Sequence, residues 1–232
     1  KIMETLVVPN IEDEYEKKRC LDEIPQSAGG KTIMTIEPKF VPSNGATINI
    51  DDFTANIRLV DCVGYVIDAA KGYEDENGPR MVRTPWYDEE IPFVEAAEIG
   101  TEKVIRDHST IGIVVTTDGS FGEIKRKDYV DAEDQVITEL KELGKPFIVI
   151  LNSSHPTHPD TQRLATELKE KYNVPVMPVS VETMSEKEVY DILREALFEF
   201  PVLNVNVNIP DWFACLSPNH PVKQEYIDKI KE

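Results

Sequence analysis

Three short runs constrain this chain more than anything else in it: TIGIVVT at 110–116, PFIVIL at 146–151 and VPVMPVS at 174–180. Each is nearly continuous in Val, Ile and Leu rather than alternating, the pattern of a strand covered on both faces. Before, between and after them, apolar spacing predicts helices over 93–108, 129–143, 160–172 and 185–199. Helices in those places supply crossovers, so the fold class expected is α/β: a three-layer, doubly wound, mostly parallel sheet. Residues 40–50 and 56–60 flank a turn-rich SNG and a polar DDFTA, and predict an antiparallel hairpin at one side of that sheet. Helices are also expected over 1–8 and 11–24, broken at Pro9-Asn10 and at Pro25. From Gly64 to Pro92 runs an insertion dense in charge, Gly and Pro, longer than an ordinary connection and therefore expected to be functional or mobile. After Phe200, PVLNVNVNIP leaves the pattern. The main domain is expected over 1–205, with a linker or following domain beginning in 206–232.

Charge narrows the choice of partners. A formal net charge of −18 over 232 residues repels phosphate backbones and anionic headgroups, which argues against nucleic acid and against direct electrostatic membrane contact. It leaves room for a nucleotide held locally by glycine-rich backbone and a metal. Three widely spaced cysteines, Cys20, Cys62 and Cys215, form no disulfide framework and point to a reducing, cytosolic location. No stretch approaches eighteen apolar residues, and the first residue is Lys1, so the sequence is expected to begin inside something longer. The four histidines have no metal-ligand spacing and no G-x-S-x-G occurs, so neither a zinc site nor the common serine hydrolase signature is expected.

In doubly wound sheets ligands sit at the carboxyl ends of strands. The hairpin strand ends in Asp61-Cys62-Val63-Gly64, a D-x-x-G, where an apolar strand runs into a carboxylate that is costly unless compensated. Such an aspartate can hold the water shell of Mg²⁺, and the side-chain-free glycine amide can meet a terminal phosphate. The plainer alternative is an aspartate capping the next turn. The strand at 146–151 leaves Asn152-Ser153-Ser154-His155, where GTPases carry N-K-x-D. Ser153 replaces the lysine and His155 the aspartate, which removes the acceptor that favours guanine. Asn152 could equally be a residue that turns a strand into a loop. Ser180 follows the last strand, where loop backbone could touch a base. Thr32 and Thr35 lie where nucleotide switches place a Mg²⁺-ligating threonine, although two threonines entering a strand read as well. GGKT at 29–32 is not a Walker A motif: its first glycine would fall at Pro25, and an acidic helix precedes it where a strand is needed.

These pieces, in this order, resemble a P-loop hydrolase of the translation-factor class without its first strand and P-loop. The longer strings IPQSAGGKTIMTIEPKFVP, RLVDCVGY, AKGYEDENGPRMVRTPWYDEEIPF, EAAEIGTEKVIRDHSTIGIVVTTDGS and LREALFEFPVLNVNVNIP resemble, across nearly the whole chain, the stage IV sporulation protein A family of spore-coat ATPases. The resemblance implies ATP and Mg²⁺ as ligands, and hydrolysis that drives self-assembly around the forespore, inside the mother cell. It also implies a small amphipathic membrane-anchoring peptide and other coat or cortex morphogenetic proteins as partners, with membrane contact indirect. Carried over by position, Asp61 matches the Walker B aspartate and Mg²⁺ ligand, Gly64 the γ-phosphate glycine and Thr35 the switch threonine, also a metal ligand. Thr32, Asn152 and Ser180 are the remaining nucleotide contacts expected. Relatives can carry two successive threonines where this chain has Thr35-Ile36. The Walker A segment is expected upstream of Lys1, and without it this chain is not expected to hydrolyse ATP. A scaffold that keeps the fold without the chemistry is the competing reading, with Tyr73, Trp86 and Tyr87 as interface aromatics.

Overall fold

The computed structural model describes residues 2–11, 13–23, 39–50, 53–67, 69–70, 72–75, 78–201 and 208–231. The chain forms two compact units, residues 1–200 and 201–232. Two short helical turns, Met3–Val7 and Val8–Asn10, lead to helix α1 (Glu14–Glu23). Strands β1 (Lys39–Ile50) and β2 (Phe53–Asp61) form the expected antiparallel hairpin. On β1, Ala46 and Ile48 are buried while Thr47 and Asn49, which alternate with them, are exposed, so one face of the hairpin packs inward and the other meets water.

The insertion is more ordered than its composition suggests. It folds as two small antiparallel ladders: β3 (Glu74–Asp75) with β4 (Gly78–Pro79), and β5 (Met81–Thr84) with β6 (Tyr87–Pro92). Arg80 pins it. Its backbone N–H donates to the Tyr73 carbonyl at 2.9 Å, its carbonyl accepts from the Phe93 N–H at 2.8 Å, and its guanidinium lies 5.0 Å from the Phe93 ring centroid.

Beyond it come α2 (Phe93–Lys103), extended by a wider helical turn to His108, then β7 (Gly112–Thr117), α3 (Val130–Glu142) and β8 (Phe147–Asn152). The unit closes with α4 (Pro159–Tyr172), β9 (Val176–Val179) and α5 (Glu186–Phe198). Helix starts follow local chemistry. Ser185 and Glu188 exchange side-chain and backbone hydrogen bonds in a capping box at α5, and Pro159 occupies the first turn of α4.

Strands β7, β8 and β9 pair in parallel, in that order. Central β8 explains the unbroken apolar run. Ile148 and Ile150 pack with Val189, Ile192 and Ala196 of α5, whereas Phe147, Val149 and Leu151 pack with Ile137, Leu140, Ala165 and Leu168 of α3 and α4. Alternate residues of one strand thus enter two separate cores, and each fully buried side chain contributes about 1.5–3 kcal/mol. The hairpin joins the first core through Ile48. It does not hydrogen-bond to the parallel sheet: among the described residues the free edges of β2 and β7 have no strand partner.

In the second unit, α6 (Asp211–Ala214) and α7 (Pro221–Lys231) are tied by edge-to-face rings, with Phe213 5.7 Å from Trp212 and 5.0 Å from Tyr226 between centroids. No helix among the described residues is long and apolar enough to cross a membrane.

The two-core arrangement makes β8 the element least tolerant of truncation. Ile150→Ala should lower stability by about 2–5 kcal/mol in denaturant unfolding. A loss below about 1 kcal/mol would mean that this strand is not buried as described.

Candidate nucleotide site

Asp61 is the last residue of β2, paired in register with Lys39, and its side chain is exposed. Three residues later Gly64 adopts φ +80°, a left-handed conformation that costs a side chain bearing Cβ, and a Cβ placed there would meet nothing within 4 Å. The glycine is therefore required by the backbone path, and one side of it is open. Asp61, Gly64 and Tyr65 lie in the wall of a cleft of about 1280 Å³ that also takes in β2 from Asn56, β7 from Gly112 to Thr116, and Thr101 of α2.

The cleft is unusual in its lining. Its two long walls are the unpaired edges of β2 and β7, rows of backbone N–H and C=O groups that elsewhere in the sheet are satisfied by a neighbouring strand. Val115, in the middle of β7, is 61% exposed although Val114 and Thr116 on either side are buried. By alternation Val115 shares a face with Ile113, which packs against the α5 core. An apolar side chain on the core face of an edge strand, left uncovered, marks a place shaped for more polypeptide.

At the far rim, the ends of β7 and β8 and the first turn of α4 are knotted together by short polar bonds. The Asp118 carboxylate accepts from the Ser120 N–H at 2.9 Å, from the Ser120 hydroxyl at 2.5 Å and from the Thr161 hydroxyl at 3.0 Å. Ser153, fully buried, accepts from the His155 N–H at 3.0 Å and its oxygen lies 3.3 Å from that of Thr161. The Ser154 N–H donates to the Ser120 hydroxyl at 2.8 Å. Burial pushes the Asp118 carboxyl up, but hydrogen bonds from Ser120, Ser153 and Thr161 outweigh it and hold the group below its usual range.

Asn152 ends β8 and its side-chain oxygen accepts from the Val181 N–H at 3.0 Å. It thereby fixes the loop in which Ser180, also buried, accepts through its carbonyl from the Thr183 N–H at 3.2 Å. Of the residues expected from sequence, Asp61 and Gly64 thus stand together in the cleft wall. Asn152 and Ser180 stand together at the ends of β8 and β9, outside that wall. Thr32 and Thr35 lie outside the described residues. The sequence reading passed over Asp118, Ser120 and Thr161. The signal for the first two was present in TTDGS, an Asp-Gly-Ser leaving a buried strand where a side chain can fold back on its own backbone.

Within the same cleft wall Glu133 of α3 has a side chain only 1% exposed. Arg126 reaches it at 2.8 Å and the Tyr172 hydroxyl donates to the same oxygen at 2.8 Å, while a second guanidinium nitrogen of Arg126 lies 3.3 Å from the Thr116 hydroxyl. Gly119 lets this happen: a Cβ there would stand 2.7 Å from the backbone nitrogen of Arg126. Of the proposed interface aromatics, Trp86 is half-buried with the Lys103 ammonium 5.8 Å from its ring centroid, Tyr73 is half-buried, and Tyr87 is 50% exposed.

A parallel sheet wound on both faces, with a D-x-x-G leaving a neighbouring strand into a cleft, defines a P-loop NTPase-like α/β domain. The chain belongs to the family described as "Stage IV sporulation protein A, ATPase domain", whose model matches residues 1–201. It is 59% identical over 233 aligned residues to "Stage IV sporulation protein A" of Bacillus anthracis, 58% to that of Bacillus subtilis (strain 168) and 50% to that of Clostridioides difficile (strain 630). Each alignment covers the whole of this chain and 47%, 47% and 48% of the relative respectively, so the chain spans about half the length of the curated relatives it matches. No solved structure matches it.

The lowered Asp118 carboxyl gives a pH test. A depressed folded-state value stabilises the protein above the unfolded value near 3.9, and that contribution is lost as pH falls through the folded value. Asp118→Asn should therefore cost about 1 kcal/mol at pH 7, and the gap to the unsubstituted protein should close in urea unfolding as pH falls below about 4. An unchanged gap at acid pH would contradict the assignment.

Proposed function

We propose that the protein to which this chain belongs binds ATP with Mg²⁺ and hydrolyses it to ADP and phosphate. Turnover drives its self-assembly into the basement layer of the spore coat, on the forespore surface within the mother-cell cytoplasm. The observation that carries this reading is the Asp61–Gly64 turn opening into a cleft, in a chain whose family is defined by an ATPase domain. Asp61 is a single hard oxygen donor on an exposed strand end. That suits Mg²⁺, which takes one or two carboxylates and completes its shell with water and phosphate oxygens. When bound, the ion would neutralise charge on the β- and γ-phosphate oxygens. The Gly64 N–H, which engages the Cys62 thiol in this structure, would turn to the terminal phosphate when nucleotide binds. Thr35 is the switch threonine of this scheme and a second metal ligand, and Thr32 a further nucleotide contact. Asn152 acts by holding the Ser180–Glu182 loop against the base rather than by reading the base through its own carbonyl, which is already taken by Val181.

The two unpaired edges support a further part of the reading. One strand laid between β2 and β7 would satisfy both, since paired strands stand about 4.8 Å apart. It would cover Val115. In this scheme a segment of the same polypeptide, preceding Lys1, supplies that strand and the phosphate-binding loop after it; the curated relatives have ample chain outside this span. Partners of the assembled protein are further copies of itself, a small amphipathic membrane-anchoring peptide, and other coat or cortex proteins. The −18 charge favours membrane attachment through such a partner and disfavours nucleic acid.

A non-catalytic scaffold remains the second reading. Met81 and Tyr87, 48% and 50% exposed on the β5–β6 hairpin, favour it as apolar contact points.

In the full-length protein, Asp61→Ala should abolish ATP turnover with little change in the unfolding midpoint. Light scattering should rise with ATP but not with a non-hydrolysable analogue. Equal assembly with ATP, with the analogue and without nucleotide would favour the scaffold. The strand proposal has its own readout: Val115→Ala in the full-length protein should cost about 1–3 kcal/mol, as for a covered side chain. A cost within about 0.5 kcal/mol would leave the cleft open.

A further inference from the structure

The turn after Asp61 carries an anchor that the D-x-x-G pattern does not include. Tyr65, immediately after Gly64, is half-buried, and its hydroxyl donates to the Oε2 of Glu139 on α3, 74 residues away in sequence. The other oxygen of Glu139 is buried and has no hydrogen-bond partner among the described residues. The phenol is thus the donor that satisfies a largely desolvated carboxylate, and swinging Tyr65 outward would strand that carboxylate. Burial and the neighbouring Glu139 also push the Tyr65 phenol above its ordinary range, so it remains a donor at any physiological pH.

Consider what this does to Gly64. Asp61 is held by its ladder with Lys39, and Tyr65 by α3. Only Cys62, Val63 and Gly64 lie between these fixed points, and the last has φ +80° and nothing within 4 Å of its missing side chain. A glycine in open space is the most mobile position a backbone offers, unless its neighbours are pinned. Here both ends of the turn are pinned, to a strand on one side and to a helix on the other.

We propose that Tyr65 is a positioning residue: through Glu139 it moors the 62–64 turn to α3 and so fixes where the Gly64 amide stands. This rests on the reading that the Gly64 amide turns to the terminal phosphate when nucleotide binds. Tyr65 touches no reacting atom. Its effect is to hold the turn in place before nucleotide arrives, so its loss falls on turnover rather than on nucleotide affinity, most of which comes from contacts elsewhere on the nucleotide. The bond also links the turn mechanically to α3, the helix whose Glu133 lines the same cleft and accepts from Arg126.

The test uses the full-length protein and two variants. Tyr65→Phe keeps the ring and removes only the donor. Glu139→Gln keeps a carbonyl that accepts from the phenol. Without nucleotide, amide hydrogen exchange over 62–67 should quicken by about tenfold or more in Tyr65→Phe and stay within about threefold in Glu139→Gln. With Mg²⁺-ATP, Tyr65→Phe should lower kcat by about tenfold while KM and nucleotide Kd stay within about threefold, and Glu139→Gln, tested by itself, should keep kcat within about threefold of the original value. Unchanged exchange in Tyr65→Phe overturns the mooring. Quickened exchange with unchanged kcat overturns the positioning role. A proportional loss of kcat, affinity and melting temperature in Tyr65→Phe would also overturn it, since a structural defect explains that pattern. If the unsubstituted full-length protein turns over no ATP, the ATPase reading fails and takes the catalytic half of this proposal with it, while the exchange comparison still judges the mooring alone.

Discussion

A parallel strand buried on both faces cannot be built without helices on each side, and that requirement on β8 organises the larger unit of this chain. Ile148 and Ile150 demand α5; Phe147, Val149 and Leu151 demand α3 and α4. Once both cores are filled, three parallel strands end on the same rim, and their polar continuations have nowhere to go but toward each other. The hydrogen bonds among Asp118, Ser120, Ser153 and Thr161 follow from that convergence. With the bond from the Val181 N–H to Asn152, they tie three loop starts into one platform, which is what a ligand site needs from its scaffold.

On the other side of β7 the same logic runs unfinished. Backbone groups on β2 and β7 face one another across a cleft, and Val115 lies uncovered on a face that elsewhere is core. A strand edge without a neighbour presents a row of backbone N–H and C=O groups that a paired strand would satisfy. The proposed further strand of the same polypeptide would pair both rows and cover Val115 together.

How much of this was legible in the sequence depends on the range of the interactions. The three apolar runs and their intervening helices could be read because each strand's environment is written in its own residues. The D-x-x-G at Asp61–Gly64 was legible for the same reason, and its glycine has the left-handed conformation such a turn requires. The ladders within 64–92 were not foreseen: β5 and β6 are short and polar, and Arg80, packed on Phe93, stabilises them from outside their own alternation. Equally invisible was the bond from Tyr65 to Glu139, since nothing in either local string indicates a partner 74 residues distant. The cleft is a property of two edges far apart in sequence, and only the folded chain displays it. Thr32 and Thr35, legible as switch candidates, fall outside the described residues.

The most direct measurement is calorimetric titration of the full-length protein with ATP, in the presence of Mg²⁺ and again in excess chelator. The account predicts saturable binding that Mg²⁺ strengthens, and loss of that strengthening when Asp61 is replaced by asparagine. Binding of equal affinity with and without the metal, or no binding of ATP at all, would contradict it.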